Sequence, residues 1–74
     1  MLVEGKLIDR LRLEGPISLK EARNIPLFLE RPTYRQILRW HTDGFRGVFL
    51  ECFRQGKYIF TSEPAIRRFL QATQ

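Results

Sequence analysis

Arg54-Gln55-Gly56-Lys57-Tyr58-Ile59-Phe60-Thr61-Ser62-Glu63-Pro64-Ala65-Ile66, residues 54–66, contains a turn, a strand and a helix start in direct succession. Gly56 stands where a tight turn wants a positive φ, and Tyr58-Ile59-Phe60-Thr61 is β-branched and aromatic, so the run predicts the returning strand of a hairpin. The outgoing strand lies just upstream. From Val48 to Phe53, the residues Val48, Leu50 and Cys52 alternate with Phe49, Glu51 and Phe53, a period of two. Downstream, Ser62 offers an N-cap and Pro64 is tolerated in a first helical turn. Ala65, Ile66, Phe69 and Leu70 then form a helical stripe that runs to the end, with Arg67 and Arg68 on the opposite side.

Working back toward the N-terminus, Thr33 followed three residues later by Gln36 is a capping box, and it starts a helix. Tyr34, Ile37, Leu38 and Trp40 face its interior side in part. Arg35 and Arg39, four residues apart, project together from the other side with Gln36 beside them. Asp43-Gly44 closes this helix and Gly47 breaks the chain again. Ser18 with Glu21 is a second capping box, starting a shorter helix with Leu19, Ala22 and Ile25 on its apolar face; Pro26 should stop it near Asn24. Leu27-Phe28-Leu29 is too apolar for a simple solvated loop and is expected to be buried under the following helix. Residues 2–13 place Val3, Leu7, Ile8 and Leu11 at helical spacing before Gly15-Pro16 ends the segment.

With 74 residues, the chain has room for one small domain, set at residues 16–74 and preceded by an N-terminal helical extension over residues 1–15. A domain of that size needs nearly all its large apolar residues for a core, which argues against an enzyme with a deep pocket. One Cys and one His can supply neither an internal disulfide nor a structural zinc site, so no metal and no cofactor are expected. No apolar run is long enough to span a bilayer, and MLVEGKLIDR lacks the apolar core of a signal peptide. The expectation is a cytoplasmic, nucleoid-associated protein with no membrane partner.

Thirteen Lys and Arg against eight Asp and Glu give a net charge of +5, which favours a polyanionic partner, nucleic acid first and an anionic membrane surface second. Residues 33–60 hold five basic and two acidic side chains, a net +3, whereas residues 1–32 and 61–74 carry +1 each. Positive charge is therefore concentrated on the third helix and the hairpin. The order helix, capped helix, hairpin, helix is that of a winged helix-turn-helix, an α+β fold of short helices, a two-stranded β-hairpin wing and a C-terminal helix. In such a fold the second helix of the motif enters the major groove of double-stranded DNA, where Arg reads guanine and Gln reads adenine. Arg35, Gln36 and Arg39 have the right side chains, and Thr33 at the helix start can give its hydroxyl and nearby N–H groups to a phosphate. Arg54, Gln55 and Lys57 would lie along the backbone or minor groove as the wing. The plainer alternative is that these cations only form a solvated face and keep the hairpin soluble. Trp40, Phe60 and Phe69 read as core, Cys52 as a small buried hydrophobe, and His41 as a group at a helix C-terminus rather than a catalyst.

Ile17-Ser18-Leu19-Lys20-Glu21-Ala22, the pair Arg39-Trp40 ending a capped helix, and the run from Gly56 to Ile66 together resemble the phage excisionase and MerR-like winged helix-turn-helix domains. The resemblance covers about residues 17–70. It implies a non-enzymatic recombination directionality factor that binds and bends DNA, often with self-association on adjacent sites, and helps an integrase excise a mobile element. It also carries Arg35, Gln36 and Arg39 over to major-groove positions and Arg54 with Lys57 to the wing. Two other functions remain open at this point: a MerR-like transcriptional regulator, and a winged-helix protein-interaction module such as a mobile-element inhibitor. The connection from Ile25 to Pro32 is long for a tight turn, and the family offers no match for residues 1–15. Those residues are expected to add an oligomerisation or partner-binding element.

Overall fold

The computed structural model describes residues 3–74. Its elements run α1 (Val3–Leu13), β1 (Pro16–Ser18), α2 (Leu19–Ala22), α3 (Tyr34–Thr42), β2 (Phe53–Gln55), β3 (Tyr58–Ser62) and α4 (Glu63–Ala72). Leu2, where the sequence pattern begins the first helix, lies outside the described residues.

Three of the helix starts are built by side chains that return to the backbone. Ser18 Oγ accepts from the Glu21 N–H at 3.2 Å, and the Glu21 carboxylate accepts from the Ser18 N–H at 3.2 Å. Thr33 and Gln36 repeat the exchange at 3.0 and 3.4 Å. Ser62 Oγ accepts from the Ala65 N–H at 3.0 Å, with a proline in the first turn of α4. Each cap satisfies N–H groups that have no partner within the helix and contributes about 1 kcal/mol. At its other end α3 stops on Gly44, whose φ of +79° lets both Asp43 and Gly44 donate to the Arg39 carbonyl, at 2.8 and 2.9 Å.

The sheet corrects the sequence reading in two places. It has three antiparallel strands in the order β1-β3-β2, where a two-stranded hairpin was expected. Pro16–Ser18 pairs with β3, setting Ile17 opposite Thr61, while Phe53 and Gln55 of β2 lie opposite Phe60 and Tyr58. Three residues starting with proline are too short to show an alternation, so β1 left no strand pattern in the sequence. The second correction is that Val48 to Cys52 is not a strand. Phe45 and Val48 bond each other across a tight loop at 2.8 and 3.0 Å, and the Leu50 N–H donates to the Trp40 carbonyl at 2.9 Å. The Thr61 hydroxyl donates to the Glu51 carbonyl at 2.7 Å, and backbone sheet pairing begins only at Phe53. The alternation survives as burial: Leu50 and Cys52 are buried and Phe49 is exposed.

The two faces of the sheet carry two apolar clusters. One gathers Leu19, Ala22, Ile37, Leu50, Cys52, Ile66 and Phe69, with Ile17 and Ile59 packed against it. Trp40 joins this cluster between the rings of Phe28 and Phe69, whose centroids lie 6.0 and 5.0 Å away. The other cluster gathers Leu11, Phe53 and Ala65 with Leu7, Ile8 and Phe60 against them, so α1 is docked on the sheet through a fully buried leucine. Phe53 and Phe60 stack there at 5.6 Å. α2 is shorter than expected, ending at Ala22. The connection after it is fastened by Arg23 Nε to the Pro32 carbonyl at 3.0 Å and by Arg31 to Asn24 Oδ1 at 2.7 Å. Leu27 and Phe28 pack on the core, but Leu29, expected to be buried with them, is fully exposed.

Candidate nucleic-acid interface

α3 buries Ile37, half-buries Leu38, Trp40 and His41, and leaves Tyr34, Arg35, Gln36, Arg39 and Thr42 exposed. Apolar and polar residues separate on its surface because Ile37, Leu38 and Trp40 fall within one helical face. On the outward face, Arg35 makes no ion pair among the described residues. Arg39 lies 3.8 Å from Asp43 with both side chains about 70% exposed, a pairing that water and salt screen almost entirely. Thr33 keeps its hydroxyl proton free while its oxygen caps the helix. The Gln36 amide oxygen is held only by the long 3.4 Å bond from the Thr33 N–H, and its NH₂ group is left as a donor. Gln36 and Arg39 share a shallow depression of about 280 Å³ with Trp40, Asp43 and Phe45.

The hairpin divides the wing residues between two sides. Arg54 lies opposite Ile59, on the sheet face turned to α2 and α3, whereas Gln55 lies opposite Tyr58 on the other face, beside Arg12 and Phe60. Gly56, with φ +64°, turns the chain so that Lys57 stands at the tip with its ammonium 5.6 Å from the Tyr58 ring centroid. The structure therefore brings Lys57 beside the start of α3 and does not bring Gln55 there. Lys57, Tyr58, Lys20 and Tyr34 line one cleft of about 320 Å³. Lys20 and the rim position of Tyr34 escaped the sequence reading. Nothing in the chain signals that β1 carries the start of α2 up to the hairpin.

Most other arginines are held internally. Arg68 donates to Glu14 at 2.8 and 3.2 Å and to Glu51 at 2.6 and 3.2 Å, Arg10 pairs with the second oxygen of Glu51, and Ser62 donates to Glu14 at 2.6 Å. The Arg68 hydrogen bond holds the Glu14 carboxyl below its ordinary value of 4.5, and the same bond raises Arg68. Arg46, at a left-handed φ of 55°, reaches the Thr73 carbonyl at 3.2 Å and covers the Phe45 ring. Arg67 pairs with Glu63 at 3.5 Å, and Arg12 lies over Phe53 at 5.7 Å. Burial pushes the Cys52 thiol up to about 12, so at neutral pH it carries no thiolate to react. His41 Nδ1 lies 3.4 Å from the Leu50 carbonyl, at the joint between α3 and the segment that follows. Among the described residues no helix is long and apolar enough to cross a membrane.

No curated protein and no solved structure matches the chain. Residues 22–74 match a family described as a protein of unknown function, DUF1580. The matched segment contains α3, the hairpin and α4, and so all the interface residues named above except Lys20. Because that match takes in 53 of the 74 residues, the chain belongs to the DUF1580 family.

Proposed function

We propose that the protein is a winged helix-turn-helix that binds double-stranded DNA as an excisionase-type directionality factor, with α3 as the recognition helix and the β2–β3 hairpin as the wing. The observation that carries this reading is the distribution of committed cations. Arg10, Arg23, Arg31, Arg46 and Arg68 have partners within the fold, whereas Arg35 and Arg54 have none among the described residues and Arg39 has only a screened one; outside this surface, Arg67 has a similarly exposed pair with Glu63 and Arg12 only the Phe53 ring. On this reading Arg35 and Arg39 give paired donors to guanine O6 and N7, and Gln36 donates to adenine. Thr33 anchors the helix start to a phosphate, and Arg54 and Lys57 hold the backbone beside it. The role is one of binding and shaping DNA, not catalysis. A short helix and one wing read few base pairs, so specificity comes from copies on adjacent sites and from an integrase partner.

The test is a mobility shift of the purified protein over a salt series, on duplex from its genomic neighbourhood and on a scrambled duplex of equal length. With five or so phosphate contacts, log K should fall against log salt with a slope of about −4 to −5, at roughly −0.9 per contact. Stepwise, sequence-preferring shifts support the reading, and a flat salt response overturns it. Stimulation of integrase-mediated excision in a reconstituted reaction separates the directionality factor from a MerR-like regulator. A protein-interaction module is favoured by a different observation, the exposure of Phe45, Phe49 and Leu29. That reading predicts no duplex shift even at low salt.

A further inference from the structure

We propose that the cleft between the start of α2, the start of α3 and the hairpin tip seats one phosphodiester of the DNA backbone, held by the ammonium groups of Lys20 and Lys57 with Tyr34 and Tyr58 at its rim. The proposal rests on the DNA-binding reading and adds Lys20, Tyr34 and Tyr58 to the interface. Several features of the cleft point to this ligand. Its two cations come from separate elements and no carboxylate is among its lining residues, the Glu21 carboxylate behind Ser18 being engaged by the Ser18 N–H and hydroxyl. An anion in that space relieves the repulsion between the two ammonium groups. The chain has two tyrosines and both line this cleft, Tyr34 from α3 and Tyr58 from the border with the opposite sheet face, where its ring lies 6.4 Å from that of Phe60. Tyrosine leaves a phenolic donor at the mouth where phenylalanine would leave none.

The Lys57 ammonium is placed against the Tyr58 ring, which limits where it goes before any ligand arrives. The volume, about 320 Å³, is at the lower end for organic-ligand pockets, and a rim of ammonium and phenol groups suits a compact anion better than an apolar molecule. The position also fits. A strand running past α3 and the wing has to cross the space between them, which is this cleft.

The chain offers its own probe, because ring-labelled tyrosine gives NMR signals from Tyr34 and Tyr58 alone. The full-length protein is titrated with duplex DNA in parallel with the mobility-shift salt series, using the wild type, Lys20→Gln, Lys57→Gln and Tyr34→Phe. The expected result is that both tyrosine signals move on duplex binding. Each lysine variant should make the salt slope shallower by roughly 0.9, weakening preferred and scrambled duplexes by the same factor. Tyr34→Phe should weaken both duplexes equally and leave the slope unchanged. Duplex binding with still tyrosine signals and an unchanged slope in Lys20→Gln overturns the phosphate seat and leaves the DNA-binding reading standing. Absence of any duplex shift in the wild type overturns both. Tyrosine signals that move with phosphatidylserine vesicles and not with duplex would assign the cleft to a lipid phosphate and overturn the proposal.

Discussion

Arginine does opposite work in two regions of this molecule. In the seam between α1, the Glu51 segment and α4, Arg68 bonds both Glu14 and Glu51 and Arg10 bonds Glu51, in pairs that join elements 41 and 54 residues apart in the chain. On the outer face of α3, Arg35 has no ion-pair partner among the described residues and Arg39 has only the exposed Asp43 carboxylate at 3.8 Å. A net charge of +5 counts both sets alike. The two arginines and two glutamates of the seam cancel, so the whole net charge lies outside it, and α3 with the hairpin tip carries its part of that charge on cations without close carboxylate partners. Cations already bonded to carboxylates contribute little to an external field, whereas unpaired ones keep their full attraction for a polyanion.

The largest expected effect breaks the comparison from the α3 side. The double variant Arg35→Ala, Arg39→Ala should lose about 2–6 kcal/mol of duplex affinity, at roughly 1–3 kcal/mol per base contact, with an unchanged thermal midpoint. A mobility shift and a melting curve on the same sample check both halves, and unchanged affinity in the folded variant removes α3 from the interface. Second in size is the seam. Arg68→Met leaves the half-buried Glu14 and Glu51 carboxylates facing each other, which should cost about 1–2 kcal/mol of stability, less than for a fully buried pair because Arg68 is partly in water. Duplex affinity of the folded fraction should stay as it was.

The same pair predicts a pH dependence. Glu14 binds its proton less readily folded than unfolded, so its contribution is complete above the ordinary value of 4.5 and is lost as pH falls through the lower folded value. Denaturant midpoints should drop below pH 4.5 in the wild type and less steeply in Arg68→Met. A smaller effect sharpens the border between the regions. Thr33→Ala removes a cap and the proposed phosphate donor together and should cost about 1 kcal/mol in stability, weakening duplex binding with the salt slope unchanged because the hydroxyl carries no charge. Smallest of all, Asp43→Asn frees Arg39 and should tighten duplex binding by less than about 1 kcal/mol, as expected for an exposed pair.

What the sequence made legible is local. The Ser18, Thr33 and Ser62 caps need partners only three residues away, and all three form as read. The turn at Gly56 and the stripe of Ala65, Ile66 and Phe69 are signals of the same short range. What escaped is set by long-range geometry. β1 exists because α1 and α2 hold Pro16–Ser18 against β3, and no three-residue pattern announces that. Val48–Cys52 alternates because one side lies on the core, while its backbone bonds go to Phe45, to the Trp40 carbonyl and to the Thr61 side chain instead of forming a ladder with a neighbouring strand. Arg68 was read as lying off the apolar stripe of α4, and it does so. Its engagement by Glu14 and Glu51 depends on how α1 docks. The candidate site divides in the same way: α3 was read from its own spacing, and Lys20 comes beside Tyr34 and Lys57 only through the sheet.

β1 also bears on how much of the chain forms a self-sufficient unit. The segment shared with the family begins at residue 22, after α1, β1 and most of α2. A protein trimmed to that segment would strip the partner from one side of β3 and leave a row of open N–H and C=O groups beside the hollow vacated by Leu11. An uncovered strand of Ile59, Phe60 and Thr61 is a template for pairing with further chains. Trimming should therefore yield a product that self-associates through its strands and precipitates, although every residue of the recognisable segment is still present.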